Sequence, residues 1–130
     1  MNFNSILIGS DDAPRLAAYY TKLFGEPGFS EGGYTGWVLG SGAITVAPHS
    51  EVHGSNGEPG RLIWNVESQD VQGDFERLKN AGATVVAEPY SFEAAPGSLI
   101  ATFSDPDGNY FQLVSQMTHG YSQPFLKPLV

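Results

Sequence analysis

One pattern, strand then helix then several short strands, occurs twice in this chain, and a duplication of that kind leaves few folds open. Phe3 to Ile8 is a short apolar run that reads as a strand. Asp11 or Asp12 then offers an oxygen to the unpaired amides of a helix start, with Pro14 in the first turn, where a missing N–H costs little. Leu16, Tyr19, Tyr20, Leu23 and Phe24 recur at helical steps, and Gly25 with Pro27 supplies the stop. A weak strand near Phe29 follows, then Tyr34 to Leu39 and Ala43 to Ala47, with Gly40-Ser41-Gly42 as a hairpin turn. The order begins again at Arg61 to Val66. Ser68 or Asp70 can cap a second helix carrying Val71, Phe75 and Leu78 on one face and ending at Gly82. Thr84 to Ala87, Ser98 to Phe103 and Tyr110 to Ser115 read as the last strands. Ser5 to Gly25 spans 20 positions and Arg61 to Gly82 spans 21, so the halves superpose with an offset of about 56.

This predicts an α+β fold of two βαβββ modules, in which a cupped mixed sheet carries both helices on its outer face. Module one is about residues 1–48, the polar stretch 49–60 is a linker, module two is about 61–116, and 117–130 form a tail, all within one domain of 130 residues. A chain of that length buries roughly two thirds of its unfolded surface, enough for one core.

Composition narrows the function. Six basic against fourteen acidic residues give a formal charge of −8 with no basic stripe, so nucleic acid is not an expected partner. No apolar run approaches the roughly 18 residues of a membrane span, and the opening MNFNSILIG lacks a secretory pattern, so the cytoplasm is the expected compartment. The absence of cysteine removes disulfides, thiolate metal sites and thiol nucleophiles together. No GxSxG or P-loop is present.

The stretch SDPDGNYFQL, Ser104 to Leu113, has a clear local mechanism: Pro106 presets the first corner of a turn, Asp107 suits the second, and Gly108 takes a left-handed backbone. Turn formation explains Asp105 and Asp107 better than a catalytic pair does. With DDAPRLAAYYTKLFG near the start and the duplicated order, however, this stretch resembles the vicinal oxygen chelate superfamily, which includes glyoxalase I, extradiol dioxygenases, fosfomycin resistance enzymes and bleomycin resistance proteins. The resemblance covers roughly Met1 to Gln116 and leaves the tail out.

That resemblance implies a metal held by the first and last strands of each module. Carried over by position, the four places are Ser5, Thr45, Arg61 and Gln112. Hydroxyls are poor substitutes for imidazole or carboxylate, and only Gln112 is a plausible ligand. Arg61 keeps its proton, and a unit charge pair at about 4 Å is worth about 4 kcal/mol at an effective dielectric near 20, so a divalent ion would be repelled by roughly twice that. No metal and no other cofactor is expected. His49 and His53 in the linker and His119 beyond the last strand read as loop polar residues rather than a ligand set.

Alternation along the strands points Ser5, Leu7 and Gly9, then Arg61, Ile63 and Asn65, into the cup, with Ala43, Thr45 and Ala47, with Tyr110 and Gln112, and with Trp37. The helix stripes and Trp64 are assigned to the core. Arg61 either holds a ligand carboxylate or pairs with an internal acid such as Glu88 or Glu93; Trp37 and Tyr110 either stack on a ligand or pack the core. The reading that follows is a metal-independent small-molecule binding protein similar to the bleomycin resistance type, sequestering a drug or metabolite. Ligand-binding candidates are Arg61, Gln112, Asn65, Ser5, Thr45, Trp37 and Tyr110. Family resemblance and the apolar tail imply a homodimer. The alternative is a glyoxalase-like lyase, isomerase or dioxygenase with non-standard metal ligands.

Overall fold

In the computed structural model, which describes residues 1–92 and 95–116, module one runs β1 (Ser5–Ser10), α1 (Ala13–Phe24), β2 (Phe29–Glu31), β3 (Tyr34–Leu39) and β4 (Gly42–Pro48). Module two follows a 3-10 turn at Pro59–Arg61 and runs β5 (Ile63–Ser68), α2 (Val71–Asn80), β6 (Thr84–Phe92), β7 (Ala95–Ser104) and β8 (Tyr110–Ser115). Both helices start on an aspartate: Asp12 accepts from Arg15 N and Asp70 from Gly73 N. One step earlier the same device repeats, since the hydroxyls of Ser10 and Ser68 accept from the amides of Asp12 and Asp70. These pairs, like the strand starts Ser5 and Ile63, lie 58 positions apart, two more than the sequence offset.

Those two residues matter. Pro59, Gly60 and Arg61 curl into the turn, and β5 begins only at Ile63. The true counterpart of Ser5 is therefore Ile63. Arg61 lies before the strand, which corrects its placement on the cup. Proline lacks a ladder amide and fixes φ, which suits a turn start rather than a strand approach.

Each module forms its own mixed four-stranded sheet, in the orders β1-β4-β3-β2 and β5-β8-β7-β6. The first and last strands of each module are parallel neighbours, β1 with β4 and β5 with β8. Among the described residues β1 and β5 are consequently edges, so the cupped mixed sheet is built as two sheets. One apolar cluster, including Leu16, Tyr20, Val46, Phe75, Phe103 and Phe111, draws on both modules. Tyr20 is its hub: its ring centroid lies 6.0 Å from Trp37 of module one and 5.9 Å and 6.1 Å from Trp64 and Phe111 of module two.

The DPDGN turn forms as its residues require, with Gly108 N donating to Asp105 O at 3.0 Å and Gly108 at φ 82°. Its tertiary role is larger. Asp105 and Asp107 are each only 4% exposed. Asp105 accepts from the amides of Asp107 and Asn109 at 2.9 Å and from the Tyr20 hydroxyl at 2.6 Å. Asp107 accepts from the Ser10 hydroxyl at 2.5 Å and Arg15 at 2.7 Å. The β7–β8 turn thus fastens module two to the start of α1. The linker joins it, because Asn56 N donates to Asp107 O at 2.7 Å and Asn56 Nδ2 donates to Asn109 Oδ1.

Burial, reinforced by the neighbouring Asp105 charge, pushes the Tyr20 phenol far above its ordinary value, and burial takes Tyr19 up to about 12. A raised pKa means that the folded state keeps protons the unfolded chain gives up above about pH 10, so the stability from these phenols is complete below pH 10 and falls as pH rises. Between about pH 10.5 and 12 Tyr20 alone is expected to remove about 1.4 kcal/mol per pH unit, with less from the partly exposed Tyr19. Urea unfolding from pH 9 to 12 measures this. Tyr20→Phe should flatten the slope, and an unchanged slope would refute the assignment.

Candidate functional site

Alternation places the open faces as expected along β1: Ile8 is buried, while Leu7 is 53% exposed. Ser5 pairs in register with Ala43, and Leu7 with Thr45, so Ser5 and Thr45 share the open face of the first sheet. Asn65 pairs with Gln112 and Ile63 with Tyr110 on the open face of the second. Gln112 is held by its cross-strand neighbour, donating from Nε2 to the Thr102 hydroxyl at 3.0 Å. The site residues therefore gather as two sets, one on each sheet.

Two candidates lie elsewhere. Trp37 is in register with the buried Ile44, is 2% exposed, and donates from Nε1 to Gly25 O at 3.0 Å. It belongs to the helix-facing core. The glycine at 36 beside it gives the strand no side chain with which to signal its register, which is why the sequence misplaces it by one face. Arg61 has a 74% exposed side chain and pairs with Glu58 at 2.8 Å, three residues away, rather than with Glu88. Glu93 lies outside the described residues, as do His119 and the tail.

With the register moved by two, the family's four metal places hold Ser5, Thr45, Ile63 and Gln112. Two hydroxyls, a hydrocarbon and an amide do not fit a divalent catalytic ion. Among the described residues no group of three or more His, Asp or Glu is placed to bind one. His49 instead covers the sheet: a Cβ on Gly9 would lie 2.9 Å from His49 Cβ, so the linker packs closely over the end of β1. Gly54 N donating to Asp11 at 2.7 Å pins the same loop.

A cleft of about 560 Å³ opens where the modules meet. Its walls are Phe3 and Ile6, the hairpin from Leu39 to Ile44, and Trp64 to Glu67 of β5. Of the sequence candidates only Asn65 reaches it. Trp64 stacks on Phe111 at 4.8 Å, and its Nε1 is a buried donor with no hydrogen-bond acceptor among the described residues. The cleft escapes strand alternation because it forms between edges: residues of both faces line it. Its only sequence signal is Gly40-Ser41-Gly42, a turn too small to cover what lies behind it.

No helix among the described residues is long and apolar enough to cross a membrane. The glyoxalase-like domain family matches residues 5–114. No curated protein matches the chain. Among solved structures, a glyoxalase-related enzyme from Fulvimarina pelagi is similar at 18% identity and TM-score 0.71, over 91% of this chain and 90% of that one. A glyoxalase/bleomycin resistance protein/dioxygenase family enzyme from Burkholderia phytofirmans PsJN is similar at 20% identity and TM-score 0.69, over 88% of this chain and 98% of that one. At such identities the likeness is one of fold. Taken with the family match over nearly the whole described chain and the two parallel-closed modules, the chain belongs to the glyoxalase-like domain family of the vicinal oxygen chelate superfamily.

Proposed function

We propose that this chain binds a small organic molecule without a metal, sequestering a drug or metabolite, and does so in the cytoplasm as a homodimer. The observation that carries the reading is the inter-module cleft, whose volume of about 560 Å³ lies within the range of small-molecule pockets. Apolar walls supply the affinity, and Asn65 with the Ser41 turn supplies polar anchors. Gln112 and Tyr110, on the open face beside Asn65, form the second tier of the site. The donor chemistry at the family's metal places supports metal independence. Exposed Leu7, Val38 and Ile63 on the strands support apposition of two copies.

Thermal shift against aromatic, cationic and carboxylated metabolites tests the reading. A ligand at one hundred times its dissociation constant adds about 2.7 kcal/mol, a rise of several degrees. The rise should be lost in Ala43→Phe, which fills the cleft, and kept in Arg61→Ala. Metal analysis of untagged protein should find far less than one divalent ion per chain. A stoichiometric ion, or turnover of a substrate only when metal is added, would favour the lyase, isomerase or dioxygenase alternative. A panel without any shift would sink small-molecule binding altogether.

A further inference from the structure

Asn56 is the one asparagine of this chain that is followed by glycine, and both residues are exposed. That order has a chemical consequence. A peptide nitrogen that follows an asparagine closes a cyclic imide on the side-chain carbonyl carbon only if the backbone folds back on itself, and glycine, lacking Cβ, allows this most freely. Among the described residues Gly57 N donates to no acceptor, so its proton is open to base. The Asn56 side chain is set to be attacked. Its Oδ1 accepts from Glu58 N at 2.9 Å, which draws electron density from Cγ and holds the side chain over its own following backbone.

The same residue fastens the linker to the β7–β8 turn. Asn56 Nδ2 donates to Asn109 Oδ1 at 3.1 Å, and Asn56 N donates to Asp107 O at 2.7 Å. Asn109 is not free to reverse its amide, because its Nδ2 also donates to the Asp105 carboxylate at 3.1 Å. A carboxylate at position 56 would therefore set oxygen against oxygen, beside a turn that already buries Asp105 and Asp107. There is little slack to absorb it. A Cβ on Gly108 would lie 3.4 Å from Asn56 O, so linker backbone and turn are closely packed.

We propose that Asn56-Gly57 is a self-modification site, at which the chain converts its own side-chain amide into a carboxylate and so releases the linker from the turn that joins the modules. Gly57 N gives its proton to hydroxide and bonds to Asn56 Cγ. The Cγ–Nδ2 bond breaks, and ammonia leaves with a proton taken from water. Water then adds to the imide and breaks one of its two carbonyl–nitrogen bonds. Cleavage at Cγ gives aspartate on an unchanged backbone; cleavage at the main-chain carbonyl gives the β-linked isomer, whose backbone runs through Cβ and Cγ. Both products have lost the donor to Asn109. Water and hydroxide are the only co-reactants, and the site is independent of what the cleft binds.

The full chain, held folded at physiological temperature in mildly alkaline buffer made with heavy-oxygen water, tests this. Peptide mass spectrometry should find heavy oxygen built into position 56 ahead of every other asparagine, and sooner as pH rises, since the attacking nitrogen must lose its proton. Gly57→Ala is the folded control. Gly57 has no left-handed φ and a Cβ there meets no atom within 4 Å, so the variant keeps the loop and should lose most of the conversion. Asn56→Asp carries the product's carboxylate without waiting for the chemistry. Its folding constant should fall about two- to tenfold, and hydrogen–deuterium exchange at the position-56 amide should quicken. In an Asn109→Ala background the same substitution should cost little further, because the opposing oxygen is gone. Three results overturn the proposal: another asparagine converting first, Gly57→Ala converting as fast as the parent, or Asn56→Asp matching the parent in both stability and amide protection.

Discussion

Tyr20→Ala is expected to lower stability by about 3–5 kcal/mol, a large part of the total for a domain of this size. The ring is fully buried and stacks on Phe24 while touching Trp37, Trp64 and Phe111, so its removal opens a cavity shared by both modules. The hydroxyl is a separate contribution. Tyr20→Phe keeps the ring and deletes the donor to Asp105, which retains the amides of Asp107 and Asn109. That variant should cost about 1.5–3 kcal/mol, the range for a hydrogen bond to a charged group. Chemical unfolding of both variants, followed by circular dichroism, separates ring from hydroxyl. Equal losses for Phe and Ala would mean that the cavity is not felt, contrary to the packing described.

Asp107→Ala is expected to cost about 2–4 kcal/mol and to lower the thermal midpoint by roughly 10 °C. The carboxylate is buried and joins modules: it holds the hydroxyl of Ser10, itself fully buried, and the guanidinium of Arg15. Losing it leaves the buried Ser10 hydroxyl without an acceptor for its proton, although that oxygen still accepts from the Asp12 amide, and it breaks an ion pair as well. Arg15→Ala should cost far less, about 0.5–1 kcal/mol, because that side chain is 53% exposed and water screens its charge. The sharp measurement is a double-mutant cycle between Ser10 and Asp107, positions 97 residues apart. A coupling near zero would show that the turn does not fasten the modules.

Much of the fold is legible in the chain because its signals are local. Asp12 caps α1, Gly25 ends it with a φ of 90°, and the apolar faces of α1 and α2 are the ones their spacing predicts. The alternation of Leu7 and Ile8, and of Gln112 and Leu113, likewise follows from the pleat. Register is where the chain misleads. An offset short by two residues put Arg61 where Ile63 stands, and a strand carrying glycine at 36 turned Trp37 to the wrong face. Neither error concerns residue type; both concern counting along strands whose side chains say little.

By itself, then, the sequence determined the two modules, the helix boundaries and the DPDGN turn, since each depends on neighbours a few residues apart. The tertiary structure alone decided that Asp105 and Asp107 bind the modules together, that β1 and β5 are sheet edges among the described residues, and that a cleft lies where the modules meet. Contacts such as Ser10 with Asp107 join groups 97 positions apart, and no periodicity reaches that far. A gap between two strand edges has no residue pattern of its own; it exists only once both sheets have packed on Tyr20.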